Sequence, residues 1–193
     1  MRNKRVLMLT ESAVMLALSV ALSFVQFGKL PFGGAITPAS MLPIMLISVK
    51  YGPKWGVIPA FIYSWFQILQ GGVFGWGLTP KMLLASLFLD YILAFTVLGL
   101  AGLFRKYGIG GMIGGVVGAC VLRFLIHFIS GIVLWANLEQ FVAFGQSWVN
   151  RPILYSLVYN GSYMLPETLI CIAVAALLLG VPQIRRYLVP VQA

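Results

Sequence analysis

Residues 86–95 read SLFLDYILAF, and they decide the fold because they lie within a long apolar run. Asp90 is the single charged residue between Lys81 and Arg105, an interval long enough to cross the roughly 30 Å hydrocarbon core of a bilayer as a helix. An ionised carboxylate in that position costs several kcal/mol unless a positive group or hydrogen-bond donors pair with it. The stretch therefore predicts a transmembrane helix, and it raises the question of which partner Asp90 has.

The composition of the whole chain is that of a membrane protein. Of its 193 residues, 61% are hydrophobic and 9% are charged, and the mean hydropathy is +0.98. This length holds about six spans of roughly 20 residues, without room for a sizeable soluble domain. We predict an all-α integral membrane protein, with residues 1–193 as a single domain. Its six transmembrane helices are expected near residues 7–27, 39–50, 54–71, 80–104, 109–136 and 152–180. The second span is short, so it is expected to tilt or to end early.

The positive charges predict the orientation of the bundle. With both termini in the cytoplasm, most cations fall in the inner segments, as the positive-inside rule requires. The inner cations are Arg2, Lys4, Arg5, Lys50, Lys54, Arg105, Lys106, Arg185 and Arg186, and the outer ones are Lys29, Lys81 and Arg151. The formal net charge of +9 does not indicate a nucleic-acid partner, because the cations flank spans and form no basic stripe with interleaved aromatic residues.

Helix geometry predicts that several polar side chains share one depth. At 1.5 Å per residue, Asp90 lies about 15 Å below the outer end of its span, and His127 lies about 13 Å below the outer end of the next. Tyr155 and Asn160 fall in the same outer half of the last span, and Trp135 lies at the outer rim. We therefore predict a pocket open to the outside.

One face of the fifth span is expected to line this pocket, because His127, Ser130, Gly131 and Trp135 recur at helical spacing. These residues also have simpler explanations. His127 can hydrogen-bond a neighbouring helix, and Trp135 can belong to the aromatic belt of the membrane interface. Asp90 can be protonated, or it can bond to His127 or a tyrosine.

A second pair of buried charges lies deeper. Arg123 and Glu167 are both about 20 Å below the outer surface by the same arithmetic. The simplest expectation is a mutual ion pair, which leaves Asp90 without a cation from the protein. A matching ligand is flat, to stack on Trp135 and Tyr155, and is cationic or rich in hydrogen-bond donors, to meet Asp90. Thiamine fits this description, as does another small aromatic cation.

Four ordered segments carry a resemblance to a known family: GGAITPASMLPIMLISVKYGPKWG (33–56), LDYILAFTVLGLAGLF (89–104), LRFLIHFISGIVLW (122–135) and YSLVYNGSYMLP (155–166). They resemble the thiamine-specific S components of energy-coupling factor (ECF) transporters. The resemblance implies that the chain binds thiamine through residues on three helices. The implied contacts are Asp90, Tyr91, His127, Gly131, Trp135, Tyr155 and Asn160. It also implies that Arg123 can face the ligand instead of pairing with Glu167. Some members cover the ligand with a Trp from the first outer loop; residues 28–38 contain none here, so either Phe32 replaces it or the cover differs.

The same resemblance implies partners. The chain contains no G-x-x-x-x-G-K-[ST] motif, so another subunit must supply energy from ATP. The family docks on a transmembrane coupling subunit driven by two ATPase subunits, through small residues of the first helix. Ala13, Ala17 and Ala21 recur at every fourth position and form such a stripe. The alternative is that the stripe packs inside the chain's own bundle.

We therefore expect a high-affinity thiamine-binding subunit of an ATP-driven vitamin importer in the bacterial cell membrane, with no cofactor, no metal and no enzymatic activity. The alternatives are the same architecture for another vitamin such as riboflavin, and a proton-coupled carrier that uses Asp90. A membrane-embedded enzyme is disfavoured, because the chain has one His, no H-E-x-x-H motif and no Ser that a known motif places beside that His.

Overall fold

The structure, a computed structural model, describes residues 3–135, 142–143, 146–147 and 150–188, and it contains the six predicted helices. The helices are α1 (Lys4–Ser23), α2 (Leu42–Tyr51), α3 (Pro53–Gly71), α4 (residues 80–107), α5 (residues 108–135) and α6 (Pro152–Gly180), followed by a short α7 (Pro182–Leu188). Helix α4 joins the segments Pro80–Ser86, Leu87–Leu93, Ala94–Thr96 and Val97–Tyr107, of which Leu87–Leu93 is a π-helix and Val97–Tyr107 a 3-10 helix. Helix α5 joins Gly108–Ser130 to the π-helix Gly131–Trp135.

Among the described residues, four helical runs are long and apolar enough to cross a membrane: Lys4–Ser23, Pro53–Gly75, Pro80–Trp135 and Pro152–Gly180. The third run has 56 residues, twice what a bilayer needs, and it reverses direction at Gly108. Gly108 has a φ of 71°, which favours glycine because it has no Cβ. The reversal divides the run into the two predicted spans, α4 and α5.

Helix α2 is the exception to membrane length, as its short apolar run predicted. Its 10 residues extend about 15 Å, half the thickness of the hydrocarbon core. Residues 42–50 are all buried, so other helices enclose α2 on all sides. It therefore differs from a helix that exposes one side to lipid. This arrangement explains why its hydrophobic residues show no periodicity.

At the end of the bundle where α2 finishes and α3 begins, the helix backbones approach one another closely. The Ser48 hydroxyl accepts a hydrogen bond from the Gly102 amide at 2.9 Å and donates one to the Gly99 carbonyl. A methyl group at Gly102 would overlap the Ser48 backbone, and one at Gly115 would overlap the Ala101 carbonyl oxygen. We call this region, formed around Ser48, Gly99, Gly102 and Gly115, the packed end.

The opposite end carries the first interhelical loop, which the sequence did not predict to be ordered. Strand β1 (Phe27–Lys29) pairs antiparallel with β2 (Ala35–Ile36) across a 3-10 turn at Pro31–Gly33. A second short pair, β3 (Val142–Ala143) and β4 (Gln146–Ser147), lies between α5 and α6. Helix α1 ends at Ser23, four residues before the predicted limit of 27, because the chain turns there into β1.

Candidate ligand-binding site

The seven residues predicted to contact a ligand all line one cavity. The cavity has a volume of about 110 Å³ and lies at the end of the bundle opposite the packed end, which we call the cavity end. The predicted residues in its wall are Asp90, Tyr91, His127, Gly131, Trp135, Tyr155 and Asn160. The helices α4, α5 and α6 therefore bring these side chains together, and they include Trp135, which the rise per residue had placed at the outer rim, well above Asp90.

Asp90 has partners within the protein. It lies in the π-helical segment of α4, where the wider turn changes the direction of side chains relative to an α-helix. Its Oδ2 accepts hydrogen bonds from the Trp135 indole N–H at 2.9 Å and from the Ser86 hydroxyl at 3.0 Å. Its Oδ1 lies 3.3 Å from His127 Nδ1. The predicted alternative of a bond between Asp90 and His127 is thus confirmed, and three donors from α4 and α5 hold the carboxylate at the cavity wall.

His127 presents its second ring nitrogen without a protein partner. Because Nδ1 faces a carboxylate oxygen, it carries the proton, and Nε2 is left as an acceptor. Nε2 is buried and has no hydrogen-bond partner among the described residues. The rings of Phe95 and Tyr163 lie edge-on to the imidazole at 6.5 and 6.4 Å and fix its orientation. A ligand N–H donor in the cavity would satisfy this nitrogen.

Asn160 and Gly131 interlock α5 and α6. The Asn160 amide donates to the His127 carbonyl at 3.2 Å and to the Ser156 carbonyl at 3.0 Å, and its oxygen accepts from the Tyr163 hydroxyl at 3.0 Å. A methyl group at Gly131 would overlap the Ser156 hydroxyl. Both predicted site residues therefore line the cavity and also shape its wall.

Aromatic rings from two loops cover the cavity beside Trp135. Phe32, in the first loop, packs on Trp135 with ring centroids 5.2 Å apart. Trp76, in the loop before α4, contacts Phe32 at 5.8 Å and Trp135 at 5.6 Å. Of the two expectations for the first loop, the structure favours Phe32 as the covering residue. Sequence reasoning missed Trp76, whose one signal was a tryptophan in a glycine-rich loop next to a predicted pocket.

The predicted ion pair between Arg123 and Glu167 is wrong. The Glu167 carboxylate instead accepts two hydrogen bonds from Thr37, one from the backbone N–H and one from the hydroxyl. The Arg123 guanidinium lies 4.3 Å from the centre of the Phe95 ring, and its Nε has no hydrogen-bond partner in the described part of the chain. Depth arithmetic put the two charges at the same level but could not anticipate that the first loop descends to Glu167. Both side chains line the cavity.

Comparison with known proteins identifies the family. The profile of the family described as "Thiamine transporter protein (Thia_YuaJ)" matches residues 9–185. The chain belongs to the thiamine transporter family. It is 35% identical to the thiamine transporter ThiT of Bacillus subtilis (strain 168) over 192 residues, which cover 92% of each chain. It is 25% identical to ThiT of Lacticaseibacillus paracasei over 202 residues, covering 95% of this chain and 92% of that one.

The fold agrees with a solved member of the thiamine transporter family. The structure of ThiT from Listeria monocytogenes superposes with a TM-score of 0.71, at 23% sequence identity, over 94% of this chain and 98% of that chain. The family consists of transporters, so the chain is not an enzyme, as predicted. The relatives are bacterial and the chain has several membrane-length helices, which makes it a multi-pass bacterial membrane protein.

The predicted docking residues of this thiamine transporter family member lie away from the cavity. Ala13, Ala17 and Ala21 are all exposed on α1. The buried side of α1 is formed instead by serines, of which Ser23 hydrogen-bonds Gln70 on α3 at 2.8 Å. The alanine stripe is therefore not buried inside the chain's own bundle, and its role in docking stays a prediction.

Proposed function

We propose that this protein is the high-affinity thiamine-binding subunit of an ECF-type importer, with its pocket opening to the extracellular side. The observation that carries the proposal is the Asp90 carboxylate, which donors hold in place at the wall of a cavity roofed by aromatic rings. A fixed negative charge among aromatic faces suits a flat cation. Thiamine combines a cationic thiazolium ring with an aminopyrimidine, and the related ThiT proteins carry thiamine in their names.

The polar groups of the cavity match the rest of this ligand. The free acceptor Nε2 of His127 suits an amino group such as that of the pyrimidine. Trp135 can stack on a ring while its indole N–H remains bonded to Asp90, because the N–H lies in the plane of the ring and the stacking face is perpendicular to it. The unpaired Nε of Arg123 offers a donor on the deeper side of the cavity, where a hydroxyl group of the ligand would find a partner.

Coupling to ATP is the second part of the proposal. The sequence contains no nucleotide-binding P-loop, and the exposed alanine stripe offers a smooth surface on which a helix of a coupling subunit can pack closely. Two ATPase subunits would then drive release of thiamine to the cytoplasm. In this scheme the isolated chain binds its ligand but does not accumulate it.

A calorimetric titration of the purified protein tests ligand identity. Thiamine should bind at one site per chain and quench tryptophan fluorescence, because Trp135 would stack on a ligand ring. Oxythiamine, in which oxygen replaces the pyrimidine amino group, should lose about 1–3 kcal/mol, because an acceptor is left unpaired. Riboflavin should not compete. Tight riboflavin binding without thiamine binding would reject the assignment.

Uptake in proteoliposomes tests the transport class. The chain alone should show no accumulation of labelled thiamine, with or without a proton gradient. Addition of the coupling subunit, the ATPases and ATP should produce uptake. Accumulation by the chain alone under a proton gradient would instead identify a proton-coupled carrier.

A further inference from the structure

Glu167 is a buried acidic residue that the proposed binding scheme does not use. Its side chain is 2% exposed, and it lies on α6 below the three tyrosines. Both carboxylate oxygens are occupied by one residue: Oε2 accepts from the Thr37 backbone N–H and Oε1 from the Thr37 hydroxyl, each at 2.5 Å. Hydrogen bonds to an ionised acceptor are about twice as strong as neutral ones. A buried carboxyl group thus binds the end of a loop.

The same loop is fastened to α6 at a second point. The Gly34 amide donates to the Tyr159 hydroxyl at 3.2 Å, and a methyl group at Gly34 would lie 2.9 Å from the Tyr163 ring. Tyr159, Tyr163 and Glu167 are four residues apart, so they share one face of α6. That face therefore holds the loop along two turns of the helix.

Residues between β1 and these two fastening points form the cover of the cavity. Phe32 has a φ of 60°, which is uncommon for an aromatic residue, and this conformation directs its ring against Trp135 and Trp76. The cover is short, and its apolar residues Leu30, Phe32 and Ile36 are only partly buried. Its position consequently depends on the hydrogen bonds at its ends.

We propose that Glu167 is a positioning residue that latches residues 27–37 over the cavity through Thr37, and so sets the lifetime of the bound ligand. It acts on the ligand through the loop and not by direct contact. The identity of that ligand rests on the proposed function, but the latch itself does not. Weakening the bond should accelerate dissociation, because the cover opens more often.

Two variants test the latch from its two sides. Glu167→Gln keeps the shape of the side chain but removes the charge and turns one acceptor into a donor. Thr37→Val keeps the backbone N–H and removes the hydroxyl. Each should raise the dissociation rate constant of thiamine, measured by stopped-flow tryptophan fluorescence, with about a tenfold increase for Glu167→Gln. The effect of the double variant should be smaller than the product of the two single effects, since both substitutions weaken the same contact.

The matched control is Ser162→Ala, on the same helix. Ser162 donates to the Tyr159 carbonyl within α6, so this change removes a hydrogen bond without touching the loop. It should leave both rate constants unchanged. A spin label at Phe27→Cys supplies a second readout, because Phe27 is exposed and lies at the start of the cover. In ligand-free protein, Glu167→Gln and Thr37→Val should each increase the mobility of the label.

The outcomes separate the latch from other roles. Faster dissociation in Glu167→Gln with wild-type behaviour in Thr37→Val would mean that Glu167 contacts the ligand directly, and additive effects in the double variant would mean that the residues act independently. An unchanged spin label in both variants would also reject the latch. If wild-type protein fails to bind thiamine, the proposed function fails, while the label in ligand-free protein still decides on the latch.

Discussion

The two ends of the bundle use buried polar groups in opposite ways. At the packed end, the Ser48 hydroxyl is bonded to Gly99 and Gly102, and small residues let the backbones meet. At the cavity end, buried polar atoms such as His127 Nε2 and Arg123 Nε lack partners among the described residues, and both residues line the cavity. At the packed end, the polar groups satisfy one another within the protein. At the cavity end, polar groups remain available to hydrogen-bond a ligand.

This contrast has an energetic cost. An unpaired buried polar atom destabilises a protein by about 1–3 kcal/mol, so a cavity lined with such atoms requires a rigid frame elsewhere. The packed end supplies that frame, because helices in a membrane associate largely through close packing of small residues. The comparison leads to predictions in which one end determines stability and the other determines binding.

The largest effect is expected at the packed end. Gly102→Leu would force a side chain into the Ser48 backbone and should cost about 3 kcal/mol or more. The melting temperature in detergent should fall by about 10 °C or more, or folded protein should not be recovered. The matched control is Gly118→Leu on α5, where an added Cβ would meet no described atom within 4 Å, and it should melt like the wild type. Equal losses in the two variants would contradict the division between the ends.

At the cavity end, Asp90→Asn should reduce affinity and spare stability. The neutral side chain keeps its shape but loses the charge that would face the cationic ring, so thiamine affinity measured by calorimetry should fall roughly 10- to 100-fold. A thiamine analogue with an uncharged five-membered ring should lose less. Thr96→Val, also on α4 but outside the cavity wall, is the control and should bind normally. Unchanged thiamine affinity in Asp90→Asn would mean that Asp90 does not interact with the ligand and only holds Trp135 in place.

A third prediction separates binding from transport. Ala17→Trp adds a bulky side chain to the exposed stripe of α1, so a partner helix would be held away. Thiamine affinity should not change, because the stripe lies outside the cavity wall. Uptake in the presence of the coupling subunit and ATPases should fall by roughly tenfold. Val14→Trp, at an exposed position beside the stripe, serves as the control and should impair uptake less. Normal uptake in Ala17→Trp would place the docking surface elsewhere.

The features that sequence could predict are those governed by helix geometry. Continuous hydropathy located six helices, and the fixed rise per residue placed Asp90, His127 and Tyr155 at one level. That arithmetic works because the rise per residue of a helix is nearly constant. It also predicted the Asp90–His127 contact as one of several alternatives, since both side chains had to be partnered at the same depth.

The features that sequence missed depend on loops. Thr37 reaches Glu167, and Trp76 reaches Trp135, through segments without any periodic pattern. The ion pair between Lys50 and Glu11, 2.7 Å apart, was also missed: Lys50 ends the second predicted span and counts there only as a charge that flanks the membrane. Interactions of this kind follow from the path of the connections, which no helix rule fixes.

The smallest effect concerns how Trp135 serves the cavity, through its ring or through its N–H. Trp135→Phe keeps an aromatic face and removes the hydrogen bond to Asp90, which is 2.9 Å long. If the N–H only orients the carboxylate, thiamine affinity should fall by about fivefold, as for the loss of one ordinary hydrogen bond. Calorimetry is the suitable measurement, because the substitution also removes the fluorescent ring. Trp65→Phe, at an exposed position on α3, is the control and should leave affinity unchanged. A loss of affinity as large as that of Asp90→Asn would show that Trp135 and Asp90 act on the ligand as one unit. An unchanged affinity would mean that Trp135 contributes to binding through stacking alone.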